Sequence, residues 1–147
     1  MTIKHNKSGR ICAVKFTTRH RIEDEMDEFH FEQMGQVVQV NGNYYIQFVI
    51  ESEEDEDLSV TFKIARDGTV TVIRHGSHSS RMRFNAEKNT SMRYHIPQGN
   101  MLIDIDTKHV EIEYRNQPFS GKVTVSYDLY SGQQLIGNYD LELYFTV

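Results

Sequence analysis

The sequence predicts an all-β chain, folded as a single antiparallel up-and-down β-barrel of about 8–10 strands. Three observations carry this. Apolar and polar residues alternate with period two over most of the length. Asn, Asp and Gly punctuate the alternation at short intervals, as hairpin turns require. Helix signals are scarce.

Taken in order, the first strand covers about 10–20, with Cys12, Val14 and Phe16 on one face. The acidic segment that follows, Ile22 to His30 with Glu23-Asp24-Glu25 before Met26, reads as one helical turn or as a loop. Strands at 29–40 and 43–52 flank Asn41-Gly42-Asn43, a hairpin signal, and the second carries Tyr44, Ile46, Phe48 and Ile50 on one face. The run Glu51 to Asp57 is a solvated hairpin loop between that strand and one at 57–66, where Leu58, Val60, Phe62 and Ile64 alternate with Ser59, Thr61 and Lys63. Asp67-Gly68 turns the chain into 69–75, and further strands follow at 80–85 and 90–97. Gln98-Gly99-Asn100 starts the next at 100–107, which is followed by one at 109–114. Asn116-Gln117-Pro118 is a loop, because proline cannot donate to a ladder. The last strands are 121–130, with Val123, Val125, Tyr127 and Leu129 on one face, and 135–147, with Leu135, Tyr139, Leu141, Leu143, Phe145 and Val147. The alternation changes phase near Gly35, and again between Ile105 and Val110. A bulge at each place would keep the core face inward and curl the strand.

The chain's 147 residues suit one domain, 1–147, with 1–9 as a flexible N-terminal lead. Eight Tyr and eight Phe supply side chains for pleated, half-buried surfaces. A net charge of −5 argues against nucleic acid or an anionic membrane as partner, since both need a basic face. One cysteine, Cys12, excludes an internal disulfide and suits a reducing compartment. The polar N-terminus has no apolar signal region, and no stretch could span a bilayer as a helix. The expected location is the cytoplasm.

No catalytic motif is legible. There is no Gly-x-Ser-x-Gly elbow, and the Gly132–Gly137 segment is not a phosphate loop. Cys12 shares its parity with Val14 and Phe16 and reads as a small buried hydrophobe. His75 and His78, with His95 or His109 as a third ligand, lack the convergent spacing of a zinc site, and His5, His20 and His30 carry no pattern. The acidic run lacks the glycine and ligand spacing of a calcium loop. Asp104 and Asp106 alternate with Ile103 and Ile105 and are read as outward charges. No metal or other cofactor is implied.

The residues that stand out are polar groups on apolar parity. Arg74 continues the face of Val70 and Val72, so its guanidinium is aimed inward. There it grips a carboxylate or phosphate of a ligand; alternatively the strand ends at this point, and Arg74 snorkels to the rim or pairs with a structural carboxylate. Tyr94, Tyr127 and Tyr139 also lie on the apolar parity of their strands, and their hydroxyls need partners from one another, Thr107, water or a ligand.

The motifs Arg74-His75-Gly76, Met82-Arg83-Phe84, Tyr94-His95-Ile96-Pro97-Gln98-Gly99, Thr107 and Tyr127-Asp128-Leu129-Tyr130 resemble, in order and spacing, the YwiB-like family of uncharacterised bacterial proteins. The resemblance runs from about residue 10 to the end. It implies a calycin-like barrel related in shape to lipocalins, and it brings no catalytic residue.

The expectation is therefore a non-enzymatic binding protein for a small, partly apolar, anionic ligand, held by Arg74, Tyr94, Thr107 and Tyr127. The alternative is a structural or interaction module acting as a homodimer, motivated by Tyr45, Tyr130 and Tyr144 on the wet parity. An enzymatic reading would need an acid–base pair that the sequence does not display.

Overall fold

The computed structural model describes residues 9–54, 56–76 and 79–147, and among these residues it contains ten strands and no helix. They are β1 (Arg10–Ile22), β2 (Glu25–Val40), β3 (Asn43–Ile50), β4 (Leu58–Ile64), β5 (Val70–His75), β6 (Ser80–Phe84), β7 (Thr90–Ile96), β8 (Gly99–Arg115), β9 (Ser120–Ser131) and β10 (Gln134–Thr146). Every ladder is antiparallel, and β1 pairs with β10, so the sheet order is β6-β5-β4-β3-β2-β1-β10-β9-β8-β7. The two ends of that sheet meet. The Thr90 hydroxyl on β7 donates to the Arg83 carbonyl on β6, across a seam that carries no ladder. The result is a meander wrapped into a nearly closed barrel.

Alternation decides what fills it. Phe16, Ile46, Phe62, Val72, Phe84, Ile105, Val125, Leu143 and Phe145 point inward and form one buried cluster. Phe16 packs edge-on against Phe48 and Phe62, both at 5.5 Å between centroids, an arrangement favoured by the ring quadrupoles. Cys12 lies in the same cluster, and burial pushes its thiol up to about 11.

The turns follow their residues. Asn41 and Gly42 both have positive φ, 54° and 82°, which joins β2 to β3 with two residues. The Asp67 side chain accepts the Thr69 amide at 2.9 Å, which holds its carboxyl below the usual carboxylate range. Residues 1–8, which include most of the lead expected to be flexible, lie outside the described residues, as do Asp55 and the Ser77-His78 pair.

Four local expectations change. The segment from Ile22 to His30 is neither helix nor loop. Ile22 pairs with Glu25 around a two-residue turn at Glu23-Asp24, and β2 begins there. Cross-strand polar pairs accompany it: Arg19 with Glu28 at 3.4 Å and His20 with Asp27 at 3.3 Å. No bulge occurs near Gly35, because the β1–β2 register runs without a shift from Ile22↔Glu25 to Arg10↔Val37. Glycine is required there for close approach, since a Cβ would stand 2.6 Å from the Gln47 carbonyl oxygen on β3. The stretches expected at 100–107 and 109–114 form one strand, β8, whose register shifts between Thr107 and His109, so that Lys108 is the extra residue of a bulge. A bulge that the pattern did not announce lies between Leu135 and Gly137. It turns Leu135 away from the core face assigned to it, and the side chain is 47% exposed.

Candidate functional site

Antiparallel strands place like-facing residues side by side, and one such row crosses the inner wall. Thr107 on β8 pairs with Tyr127 on β9, Tyr127 with Tyr139 on β10, Tyr139 with His20 on β1, and His20 with Asp27 on β2. The side chains follow the backbone row. The rings of Tyr127 and Tyr139 stack at 5.3 Å with 11° between planes, and His20 lies 5.8 Å from Tyr139. His20 Nε2 stands 3.3 Å from an oxygen of Asp27, and its ring lies along Phe29 at 5.9 Å. The row thus runs from a buried hydroxyl to an exposed carboxylate.

Arg74 closes on this row from the other side. It sits in the inward ladder Phe48↔Val60↔Arg74↔Ser80, which realises the inward aim read from its parity. Its charge acts on the Tyr127 phenol: burial pushes that phenol up to about 12, and the guanidinium opposes the rise. Phe84 covers the other side of the Tyr127 ring, 4.5 Å between centroids. Burial also raises Tyr139.

Two polar atoms of this cluster have no partner. Among the described residues, Arg74 Nε donates no hydrogen bond and Thr107 Oγ1 neither donates nor accepts one, and both are buried. Each such atom costs on the order of 1–3 kcal/mol, more for the charged one. Arg74 does not reach a structural carboxylate through Nε. Thr107, 6% exposed, has no tyrosine hydroxyl to bond.

Tyr94 stands apart. It is half-buried on β7 opposite Met101, and from Met101 to Thr107 is six residues along β8, about 20 Å of strand. It belongs to the rim, whereas Thr107 and Tyr127 belong to the wall. His20 and Asp27 take its place in the row. His20 was legible in principle, since it continues the parity of Cys12, Val14, Phe16 and Thr18.

At the same end of the barrel lies an open recess of about 540 Å³, lined by Ile22, Met101, Ser131, Leu135, Ile136 and Gly137 among others. That volume falls in the range of small-molecule sites. The Ile136 bulge shapes its edge.

Other chemistry is thin. Among the described residues no group of three or more His, Cys, Asp or Glu converges on a point. His75 is exposed and His78 lies outside the described residues. His95 is engaged with Asn100 at 2.8 Å, and His109 with Glu111 at 3.2 Å. Asp106 points outward and pairs with Lys108 at 2.7 Å, which raises the lysine. The outward tyrosines form no common exposed patch, because Tyr45 is only 8% exposed, beneath Lys63, and Tyr130 is half-buried. No helix in the described residues is long and apolar enough to cross a membrane.

Comparison with known proteins agrees with this architecture. The crystal structure of ywiB protein from Bacillus subtilis superposes with a TM-score of 0.79 at 16% identity, over 95% of this chain and 93% of that one. At that identity the likeness establishes the barrel fold and no activity. No curated protein matches the chain. A family model described as "Domain of unknown function (DUF1934)" matches residues 14–143, nearly all of the ten strands, and the chain belongs to that YwiB-like family.

Proposed function

We propose that this barrel is a non-enzymatic binding protein for a small, partly apolar ligand that carries an oxygen-rich anionic group. The observation that carries the reading is the pair of buried polar atoms left without partners, Arg74 Nε and Thr107 Oγ1, beside the Tyr127 ring. Folding leaves both desolvated at a cost, and a ligand oxygen accepting from the guanidinium would recover it. The stacked rings of Tyr127 and Tyr139, with the His20 ring tilted beside them, offer a wall for the rest of such a molecule, and Tyr94 would guard the rim. The expected setting is the cytoplasm, where a lone buried thiol such as Cys12 stays reduced.

Anilinonaphthalene sulfonate, an aromatic anion, tests the reading. Titration of the intact chain is expected to give one saturable site with enhanced fluorescence. Arg74→Met should weaken it at least tenfold, and Thr107→Val about threefold, roughly 1.4 and 0.7 kcal/mol of binding free energy. Native mass spectrometry of the purified protein is expected to show a co-purified mass that Arg74→Met loses. Binding that ignores Arg74→Met, or no stoichiometric binding at all, would sink the proposal.

A further inference from the structure

β2 pairs with β1 along its whole length, from Ile22↔Glu25 to Arg10↔Val37, but with β3 only from Gly35 to Val40. Among the described residues no strand covers its other edge from Glu25 to Met34, and Glu25 to His30 are exposed. Successive residues of a strand send their N–H and C=O to opposite edges. Val40, which closes on the two-residue Asn41-Gly42 turn, addresses β3, and so do Val38 and Gln36. By the same alternation Met34, Glu32, His30, Glu28 and Met26 aim their backbone groups at the open edge. An edge of this length is a template for another strand.

Three of its four carboxylates, all but Glu25, are already engaged. Glu32, Glu28 and Asp27 are tied back across the hairpin to Lys15, Arg19 and His20. Apolar side chains stand exposed along the same stretch: Met26 at 54%, Phe29 at 49% and Met34 at 65%.

We propose that this edge pairs with the same edge of a second copy of the chain, antiparallel about a two-fold axis at Phe29. In that register Glu28 faces His30 of the second copy, and the symmetry repeats the pair. Met26 faces Glu32, and Phe29 meets its own counterpart. Every outward backbone group from Met26 to Glu32 then finds a partner. Centring on His30 would set Glu28 against Glu32, and centring on Glu28 would set that carboxylate against itself. Centring on Phe31 would leave Met26 unpaired. The arrangement also carries the second copy's Phe31 to the position beside Asp27, so the row that starts at Thr107 would continue into the partner.

Light scattering on the full chain is expected to give twice the chain mass. Opposed residues of a non-hydrogen-bonded antiparallel pair lie about 4.5 Å apart at Cα, within reach of a disulfide. Phe29→Cys should therefore cross-link under mild oxidation at least several-fold faster than Phe31→Cys. The native Cys12 stays silent, being 1% exposed. His30→Pro deletes an outward N–H that β1 does not use, and should weaken the dimer at least tenfold with an unchanged far-ultraviolet spectrum. If that variant fails to fold, His30→Glu should weaken the dimer and adding Glu28→Lys should restore it. A monomer at millimolar concentration overturns the proposal. So does faster cross-linking through Phe31→Cys, or a dimer indifferent to these substitutions.

Discussion

The two ends of the barrel are built on opposite principles. At the end where β1 begins and β10 finishes, aromatic rings pack on one another. Tyr44 lies 5.1 Å from Tyr114 and 5.4 Å from Phe119, Phe119 meets Phe145 edge-on at 5.6 Å, and Arg10 stands over the Phe119 ring at 5.1 Å. The rings themselves carry no buried polar atom without a partner, and among the described residues the one such atom at this end is the neutral hydroxyl of Thr146 on β10. Toward the other end, where the β1–β2 hairpin turns, rings also stack, but around Arg74 Nε and Thr107 Oγ1, which have no partner. One end is packed for cohesion. The other leaves a charged group and a hydroxyl unpaired among its rings, and that larger cost is what the proposed ligand would relieve.

Three measurements would break or sharpen this contrast. The largest effect is expected from Phe145→Ala, a fully buried ring at the aromatic end. It should lose about 3–5 kcal/mol in denaturant unfolding. A loss under about 1 kcal/mol would show that this end is not the cohesive one.

The next concerns pH. The Tyr127 phenol titrates near about 12 in the folded chain because it is buried, and near 10 when unfolded. Its folded value is raised, so the stability tied to the neutral phenol is complete below pH 10 and is lost as pH rises from about 10 to about 12. The loss attributable to this residue is roughly 2–3 kcal/mol, and Tyr127→Phe should remove it from the alkaline limb. Arg74→Met should shift the phenolate absorbance step to still higher pH, because the guanidinium opposes the rise. An unmoved step would mean that Arg74 and Tyr127 do not share the site.

The smallest effect has the most informative sign. Thr107→Val deletes a buried hydroxyl without a partner and keeps the shape, so it should stabilise by about 1 kcal/mol. At Ser120, buried at the far end of the β8–β9 ladder, no such gain is predicted. A destabilised Thr107→Val would show that the hydroxyl is bonded after all.

Much of this was legible residue by residue. The parity of Val70, Val72 and Arg74 sent the guanidinium inward, and the structure has it there. The change of phase after Ile105 announced the Lys108 bulge. The similar change near Gly35 did not mean a bulge. There Val38 is 2% exposed although it lies on the outer face, so its apolar side chain imitates a core-facing one. The segment after Ile22 reads as helix or loop because its carboxylates meet partners on the neighbouring strand, which a one-dimensional pattern does not display. Parity groups Tyr94 with Thr107 and Tyr127, but parity says nothing about height along the wall.

The sequence by itself determined the antiparallel meander, its turns and the inward face of most strands. Those depend on period two and on the backbone freedom of Asn and Gly, both properties of adjacent residues. Only the tertiary structure decided that β1 meets β10, that His20 lies beside Tyr139, that Arg74 Nε finds no partner and that half of β2 has a free edge. These depend on register between residues far apart in the chain, which closure of the barrel sets and local patterning does not.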